Sequence, residues 1–241
     1  MAEKLEDWIN THVKKYKAME DGDIYYGRFF REENRPIIRD SNAFYSPADG
    51  TIIYQRKVRP DQRLLEVKGR KYALTDLMMD KDLKDINYYV MGIFMSYYDV
   101  HVNRIPTDGL LSYKYLDSIQ SNNLPMIFVE KGIFSNDLNY KDLNAEYLFN
   151  NERMRNDIRY MKKGINYTVM QIADKDVDNI THFSVDSPDT FTQCERFSFI
   201  RWGSEADLII PEHPKYDFKF IQKELYHVKA GVDKVVQIIE K

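Results

Sequence analysis

Two turn signals of one type, Pro47-Ala-Asp-Gly50 and Pro106-Thr-Asp-Gly109, punctuate a stretch of short runs rich in Ile, Val, Tyr and Phe. Proline presets the first turn angle and Asp-Gly suits the angles that follow, so each tetrapeptide reads as a tight turn between one run and the next. With a further break at Lys131-Gly132, the pattern is that of strands joined by tight turns. Strand-like runs also occupy Tyr167 to Ile172, Phe197 to Trp202, Leu208 to Ile210 and Val235 to Ile239. Helical spacing is rarer. From Glu3 to about Lys17 the residues Leu5, Trp8, Ile9, Val13 and Tyr16 recur at steps of three and four, with Lys14, Lys15 and Lys17 clustered at the far end. Weaker helical patterns run from Thr75 to Leu83 and from Asn144 to Lys162, while the polar stretch Asp174 to Gln193 reads as a surface loop. The predicted class is α+β: a β-rich, mostly antiparallel core over 21–241, preceded by an amphipathic helix in 1–20.

Composition narrows the function classes. Of 241 residues, 43% are hydrophobic and 14% aromatic, enough for a packed core. Lys and Arg number 35 against 38 acidic residues, a net charge of −3, which argues against a nucleic-acid partner. The single cysteine, Cys194, has no partner for an internal disulfide, and no apolar run approaches the roughly 18 residues of a membrane span. The opening MAEKLEDWIN lacks the apolar segment of a signal peptide, so a cytoplasmic protein is expected. The apolar face of the first helix is expected to pack on the chain's own core or on a second copy, as in a homodimer. A peripheral lipid surface is the alternative, since Trp8 with Lys14, Lys15 and Lys17 is what an interfacial helix uses.

The histidines, His12, His101, His182, His213 and His227, lack the spacing of a metal site, so none is expected. Phosphate-binding glycine loops and the Gly-x-Ser-x-Gly elbow are missing too. What remains is His101 within Phe94-Met-Ser-Tyr-Tyr-Asp-Val-His-Val-Asn-Arg-Ile-Pro106, Asp49 within Ser46-Pro-Ala-Asp-Gly50, and a Gly203-Ser204 pair that interrupts the apolar runs of Arg196 to Pro211. Each alone has a plain reading as a turn or core residue.

Their order does not. Phe29-Phe-Arg31, Ser46-Pro-Ala-Asp-Gly50, Lys68-Gly-Arg-Lys-Tyr-Ala-Leu74, Asp99-Val-His-Val-Asn-Arg104, Asn151-Glu-Arg153 and Gly203-Ser204 together resemble the phosphatidylserine decarboxylase family, nearest to its short form that acts on archaetidylserine. The likeness runs from about Tyr25 to the C-terminus, where Leu225-Tyr-His-Val-Lys-Ala-Gly231 with Val235 and Ile238 resembles the family's closing hairpin. The resemblance implies a pyruvoyl enzyme that cuts itself between Gly203 and Ser204. Ser204 Oγ would attack the Gly203 carbonyl to give an ester; elimination then cleaves the chain, and hydrolysis leaves a pyruvoyl group at position 204. The implied base and orienting acid are His101 and Asp49, the general arrangement for activating a serine. The pyruvoyl ketone would accept the substrate amine and the electron pair left by carbon dioxide, with His101 returning a proton.

Three departures accompany the likeness. The long form's second histidine falls on Arg104, the residue after the serine is Glu205 where Thr or Arg is usual, and a small-residue segment before the cleavage site has no counterpart in Gln171 to Ile180. For Asn151-Glu152-Arg153 two readings stay open: structural ion pairing, or recognition of an anionic head group by Asn151 and Arg153. The function the resemblance implies is decarboxylation of a phosphatidylserine-like aminophospholipid. The alternatives are decarboxylation of a free amino acid, or an uncleaved, non-catalytic lipid- or partner-binding module.

Overall fold

The computed structural model describes residues 1–17, 19, 31–67, 70–116, 126–135, 146–174, 180–201 and 204–241. Gly203, Trp202, Phe29, Phe30, Lys68, Gly69 and Asn144, all invoked above, lie outside them. The first half of the chain carries strands β1 (Glu3–Lys4), β2 (Ala43–Tyr45), β3 (Gly50–Val58), β4 (Arg63–Val67), β5 (Arg70–Ala73), β6 (Tyr88–Met95), β7 (Val102–Arg104) and β8 (Gly109–Leu116). The second carries β9 (Arg153–Tyr160), β10 (Ile165–Ala173), β11 (Ile180–His182), β12 (Asp189–Phe191), β13 (Arg196–Ile200), β14 (Ser204–Pro211), β15 (Tyr216–Phe220), β16 (Tyr226–Val228) and β17 (Lys234–Glu240). The expected β-rich, antiparallel class with an N-terminal helix is what the chain adopts.

The backbone of the fold is a nine-stranded sheet ordered β1-β16-β3-β6-β14-β10-β9-β8-β12, every pairing antiparallel. Both faces are covered. On one side lie the helices: Leu5, Trp8, Leu77, Val129, Ile133, Tyr147 and Phe149 share a core with Tyr54, Phe94, Ile172 and Ile209 of the sheet. On the other side lie two three-stranded sheets, β11-β13-β7 and β15-β17-β2, whose Phe197, Ile200, Phe44 and Val236 pack against Ile93, Val169 and Leu208. Because successive strand residues point to opposite faces, β14 serves both cores, and all of Glu205 to Ile210 is buried.

The N-terminal helix runs through Leu5–Trp8, a π-helical Ile9–Val13 and Lys14–Tyr16. It spends its apolar stripe on the chain's own core: Leu5, Trp8 and Val13 are buried, and the Trp8 indole stacks on the His227 ring at 4.2 Å. Four local expectations are corrected. The weak helical pattern of Asn144 to Lys162 resolves into a one-turn helix, Tyr147–Asn150, followed by β9. In β9 the residues Met154, Asn156, Ile158 and Tyr160 face inward between charged neighbours, so a period of two prevails over helix propensity once a sheet is there to receive it. Lys131-Gly132 is no turn; it lies inside the helix Ile127–Phe134, where burial of Val129 and Ile133 one turn apart outweighs a glycine cost of about 1 kcal/mol. The helix expected from Thr75 to Leu83 is Leu74–Met78, stopped by Met79 in the left-handed conformation at φ 48°. Within the expected surface loop of 174–193, β11 and β12 add short strands to two sheets.

Candidate functional site

The register of the large sheet brings the candidate residues to one of its ends. Ser204, described through its backbone, opens β14 and lies between Met95, the last residue of β6, and Ala173, the last of β10. Beyond Met95 the chain makes a tight turn in which Ser96 N and Oγ both donate to Asp99 Oδ2, at 2.8 and 2.7 Å. It then returns as His101 and β7. Ile200 N donates to the His101 carbonyl at 3.1 Å, so the last residue of β13, four positions before Ser204, holds the histidine by its backbone.

The His101 ring is fully buried, and its Nδ1 lies 3.0 Å from the Asp99 carbonyl oxygen. A carbonyl only accepts, so Nδ1 carries the proton and Nε2 of the neutral ring keeps a lone pair. Burial lowers the pKa to about 4, with Arg31 pushing the same way and Asp99 opposing. The result is a neutral imidazole with a defined tautomer, the form required of a base.

Asp49 occupies the turn that leads into β3. Its carboxylate is gripped by Arg35, Nη1 to Oδ1 at 2.5 Å and Nη2 to Oδ2 at 2.6 Å, and also accepts from Ala230 N at 2.7 Å. Both side chains are buried, at 5% and 4% exposure. The same turn offers the Pro47 carbonyl to Arg104 N and Asn103 Nδ2, at 2.9 and 3.2 Å. Asp49 therefore fixes the loop on which β7 leans, and His101 stands immediately before β7. The next residue has to be glycine, because a Cβ at Gly50 would sit 2.2 Å from the Phe94 carbonyl oxygen. Arg104, at the position of the long form's second histidine, donates to the Cys194 carbonyl at 3.0 Å and to Glu32 at 3.3 Å.

Asn151 and Arg153 are both wholly buried. Asn151 Nδ2 donates to the carbonyl of Ala173, the β10 residue paired with Ser204, at 2.9 Å. Arg153 Nη1 reaches the carbonyls of Asp76 and Leu77 at the end of the helix Leu74–Met78, at 3.0 and 2.9 Å. A cation at a helix C-terminus is a favourable placement. These bonds support the β10 end and a helix end.

Sequence reading missed two partners. His227 Nε2 lies 2.6 Å from Asp99 Oδ1, both groups buried, and Arg35 is the true companion of Asp49. Burial raises the Asp99 carboxyl, but the His227 ring and the Ser96 hydrogen bonds outweigh it and hold the pKa below its usual value. His227 lies in the segment expected to form a closing hairpin, whose strands β16 and β17 instead join different sheets, and Asp99 lies in the His101 segment; the two are 128 residues apart, so no local spacing announces their pairing.

Two of the surface depressions among the described residues bear on the site. The larger, about 700 Å³, is lined by Arg155, Asp157, Thr168 and Pro211 and lies toward the far end of β14 from Ser204. The smaller, about 390 Å³, is lined by Tyr113, Tyr115, Thr181, His182, Val185 and Arg201, and Arg201 stands three residues before Ser204.

A family model described as phosphatidylserine decarboxylase matches residues 24–235. The phosphatidylserine decarboxylase proenzyme of Erythrobacter litoralis is 30% identical over 183 residues, covering 76% of this chain and 62% of the relative. That of Geobacter metallireducens is 30% identical over 183 residues, covering 76% and 65%. That of Francisella tularensis subsp. novicida is 30% identical over 102 residues, covering 42% and 34%. The chain spans less than two thirds of the length of these curated relatives.

Proposed function

The chain belongs to the phosphatidylserine decarboxylase family, and from that premise we propose that it is a self-processing carboxy-lyase that removes carbon dioxide from a phosphatidylserine-like aminophospholipid. The observation that carries the reading is the buried, neutral His101, its Nδ1 proton committed to Asp99 and its backbone tied to Ile200, four residues ahead of Ser204. In this reading His101 Nε2 takes the proton of Ser204 Oγ as that oxygen attacks the Gly203 carbonyl, a bond that lies outside the described residues. The amide becomes an ester, and loss of the α-proton of residue 204 breaks the ester C–O bond. Addition of water and departure of ammonia complete a pyruvoyl group there. Asp49 acts with Arg35 as the positioning acid of the site, through Pro47 and β7.

A pyruvoyl group at position 204 supplies a ketone that accepts the substrate amine and takes up the electron pair released with carbon dioxide. The surroundings suit it: position 204 heads a strand whose next six residues are buried, beside the small Ala173 and the uncharged imidazole segment. His101 takes up the proton that the substrate ammonium gives up on joining the ketone and, its pKa lowered by burial, delivers that proton to the carbon that lost the carboxylate.

Lipid reaches such a site from its edge. Among the described residues no helix is long and apolar enough to cross a membrane. Val185 at 91% exposure and Tyr115 at 48% line the depression next to Arg201, and Phe183, 51% exposed, lies in sequence between its lining residues His182 and Ser184, which supports peripheral contact with a lipid surface there. The test is intact mass under denaturing conditions, combined with product analysis on phosphatidylserine vesicles. Two chains, the smaller beginning at position 204 with a blocked N-terminus, together with release of the ethanolamine lipid, are expected. A single full-length chain that releases no carbon dioxide overturns the proposal.

A further inference from the structure

Glu205, the residue that departs from the family's usual Thr or Arg, is part of a buried acid pair. Along β14, Glu205 and Asp207 are two positions apart and so share the helix-covered face of the sheet. Both are fully buried. Each gives one oxygen to a tyrosine: Tyr147 Oη donates to Glu205 Oε2 at 2.5 Å, and Tyr54 Oη donates to Asp207 Oδ2 at 2.7 Å. The other oxygens, Glu205 Oε1 and Asp207 Oδ1, have no further donor, and the two carboxyls meet each other. Neither acid is ion-paired with Arg, Lys or His among the described residues. Two buried carboxylates with no cation and a shared edge cannot both be charged, because each would lack both water and a counter-charge. One proton between Oε1 and Oδ1 satisfies both atoms.

The surroundings have been cleared for this arrangement. In the cross-strand row Tyr54, Gly92, Asp207, Met170, the glycine lets the Tyr54 ring pass over β6 to reach Asp207. A Cβ at Gly92 would stand 2.3 Å from Tyr54 Cε1 and 2.7 Å from Glu205 Oε1. The titratable groups facing the pair are Tyr54 from β3 and Tyr147 from the helix Tyr147–Asn150. Arg153 of β9 stands in the Glu205 row beyond Ile172, with its Nη1 turned to a helix end. The β6 and β10 neighbours Phe94, Ile172 and Met170 carry no titrating group.

We infer that the Glu205–Asp207 pair, holding one shared proton, is a positioning device for residue 204, fastening the head of β14 between β6 and β10 before and after the chain is cut. This rests on the reading that the chain cleaves between Gly203 and Ser204. Once that bond is broken, residue 204 becomes a chain end, and free ends fray unless tied down. Residue 205 is bonded directly to it. A side chain locked to Tyr147 and Asp207 keeps the reacting carbonyl in place, where a displacement of about 1 Å costs on the order of a hundredfold in rate. Burial raises both carboxyls, Asp207 to about 7 and Glu205 well above its ordinary value, and the neighbouring Asp207 charge pushes Glu205 the same way, so the pair favours holding a proton and gives it up as pH rises. Loss of that proton leaves two like charges behind the site and releases the strand head.

The test compares full-length wild type, Glu205→Gln and Glu205→Ala for the rate of conversion to two chains, by intact mass, and for kcat of the matured protein, across pH 6 to 10. Glutamine donates from its amide to Asp207 and accepts from Tyr147 without needing a proton. Glu205→Gln is therefore expected to mature within about threefold of wild type at pH 7 and to lose the alkaline decline that wild type shows. Glu205→Ala is expected to slow both processes about a hundredfold. The inference is overturned if Glu205→Gln keeps the wild-type alkaline limb, or fails as Glu205→Ala does. A wild type that never leaves full mass overturns the cleavage reading and the positioning role together, whereas a wild type that cleaves beside an unshifted Glu205→Gln profile overturns the positioning role alone.

Discussion

The Asp99 carbonyl oxygen accepts the Nδ1 proton of His101 at 3.0 Å, which fixes the tautomer, while burial of the ring keeps it neutral with Nε2 unprotonated. A buried histidine with a pKa lowered from 6.5 to about 4 makes stability depend on pH with a definite sign. Between those values the unfolded chain binds a proton at this residue that the folded chain refuses. Stability therefore falls as pH drops through that window, by up to about 3 kcal/mol. Denaturant titrations of wild type and His101→Gln at pH 7 and pH 4.5 check this: the variant is expected to lose part of the acid sensitivity. In maturation the same variant separates two roles. If His101 is the cleavage base, His101→Gln stays one chain; if it only returns the proton after decarboxylation, the variant cleaves and fails to turn over.

The Asp99–His227 contact crosses the proposed cut. Asp99 and Trp8 belong to the segment before Gly203, His227 to the segment after it, and the 2.6 Å contact and the ring stack are both buried. Removing one member of such a pair leaves a polar group unpaired in the core, at a cost of about 3–5 kcal/mol. His227→Leu is expected to lower the denaturant midpoint by that order, and to make the two fragments of matured protein separate at lower denaturant than in wild type. The Asp99 carboxyl is held below its ordinary 3.8, so its contribution is present above that pH and lost as pH falls further. Wild-type fragments that dissociate on native gel filtration at neutral pH would contradict the picture, since β14 lies at the centre of the large sheet.

What could be read from the chain was what short range encodes. The Asp-Gly turns, the apolar runs around Ser204 and the stripe of Leu5, Trp8 and Val13 each state their local structure, and the fold honours them. The segment from Arg153 misled because Met154, Ile158 and Met161 also fit a helical spacing; only a neighbouring strand decides for the period of two. Asp49, His101 and the backbone of Ser204 gather at one end of the sheet, but their immediate partners could not be read in advance. Arg35 reaches Asp49, and His227 reaches Asp99, through contacts that depend on sheet order. Gly92 carried a usable signal: a glycine within the apolar run Tyr88 to Met95 marks close approach by another group.

That close approach gives a direct test. Gly92→Ala forces the Tyr54 ring off β6 and breaks its 2.7 Å bond to Asp207, adding overpacking of about 1–3 kcal/mol to the loss of a buried hydrogen bond. The double variant with Tyr54→Phe is expected to cost less than the sum of the two single changes, because both remove one contact. Equilibrium unfolding of the single and double variants measures the coupling, and strict additivity would place the strain elsewhere.

The bidentate grip of Arg35 on Asp49 separates two roles for the acid. Arg35 shares no catalytic chemistry, yet Arg35→Ala leaves a buried carboxylate unpaired beside the turn that supports β7, with an expected loss of about 3–5 kcal/mol. Full-length chain is then expected to accumulate. Arg35→Lys retains charge but not the fork of two parallel bonds, and should fall between. The informative variant is the double change Asp49→Asn with Arg35→Gln, which replaces the ion pair by a neutral, hydrogen-bonded one and preserves the bond from Ala230 N. If Asp49 works by holding the Pro47 carbonyl against Asn103 and Arg104, and through them His101, this double variant matures within about tenfold of wild type, the order expected of a small positional error. If the carboxylate must act on the reacting serine through its charge, the double variant remains at full mass while unfolding at a denaturant midpoint close to that of wild type. Intact mass followed over time, with the unfolding midpoint as the control for folding, distinguishes the two outcomes.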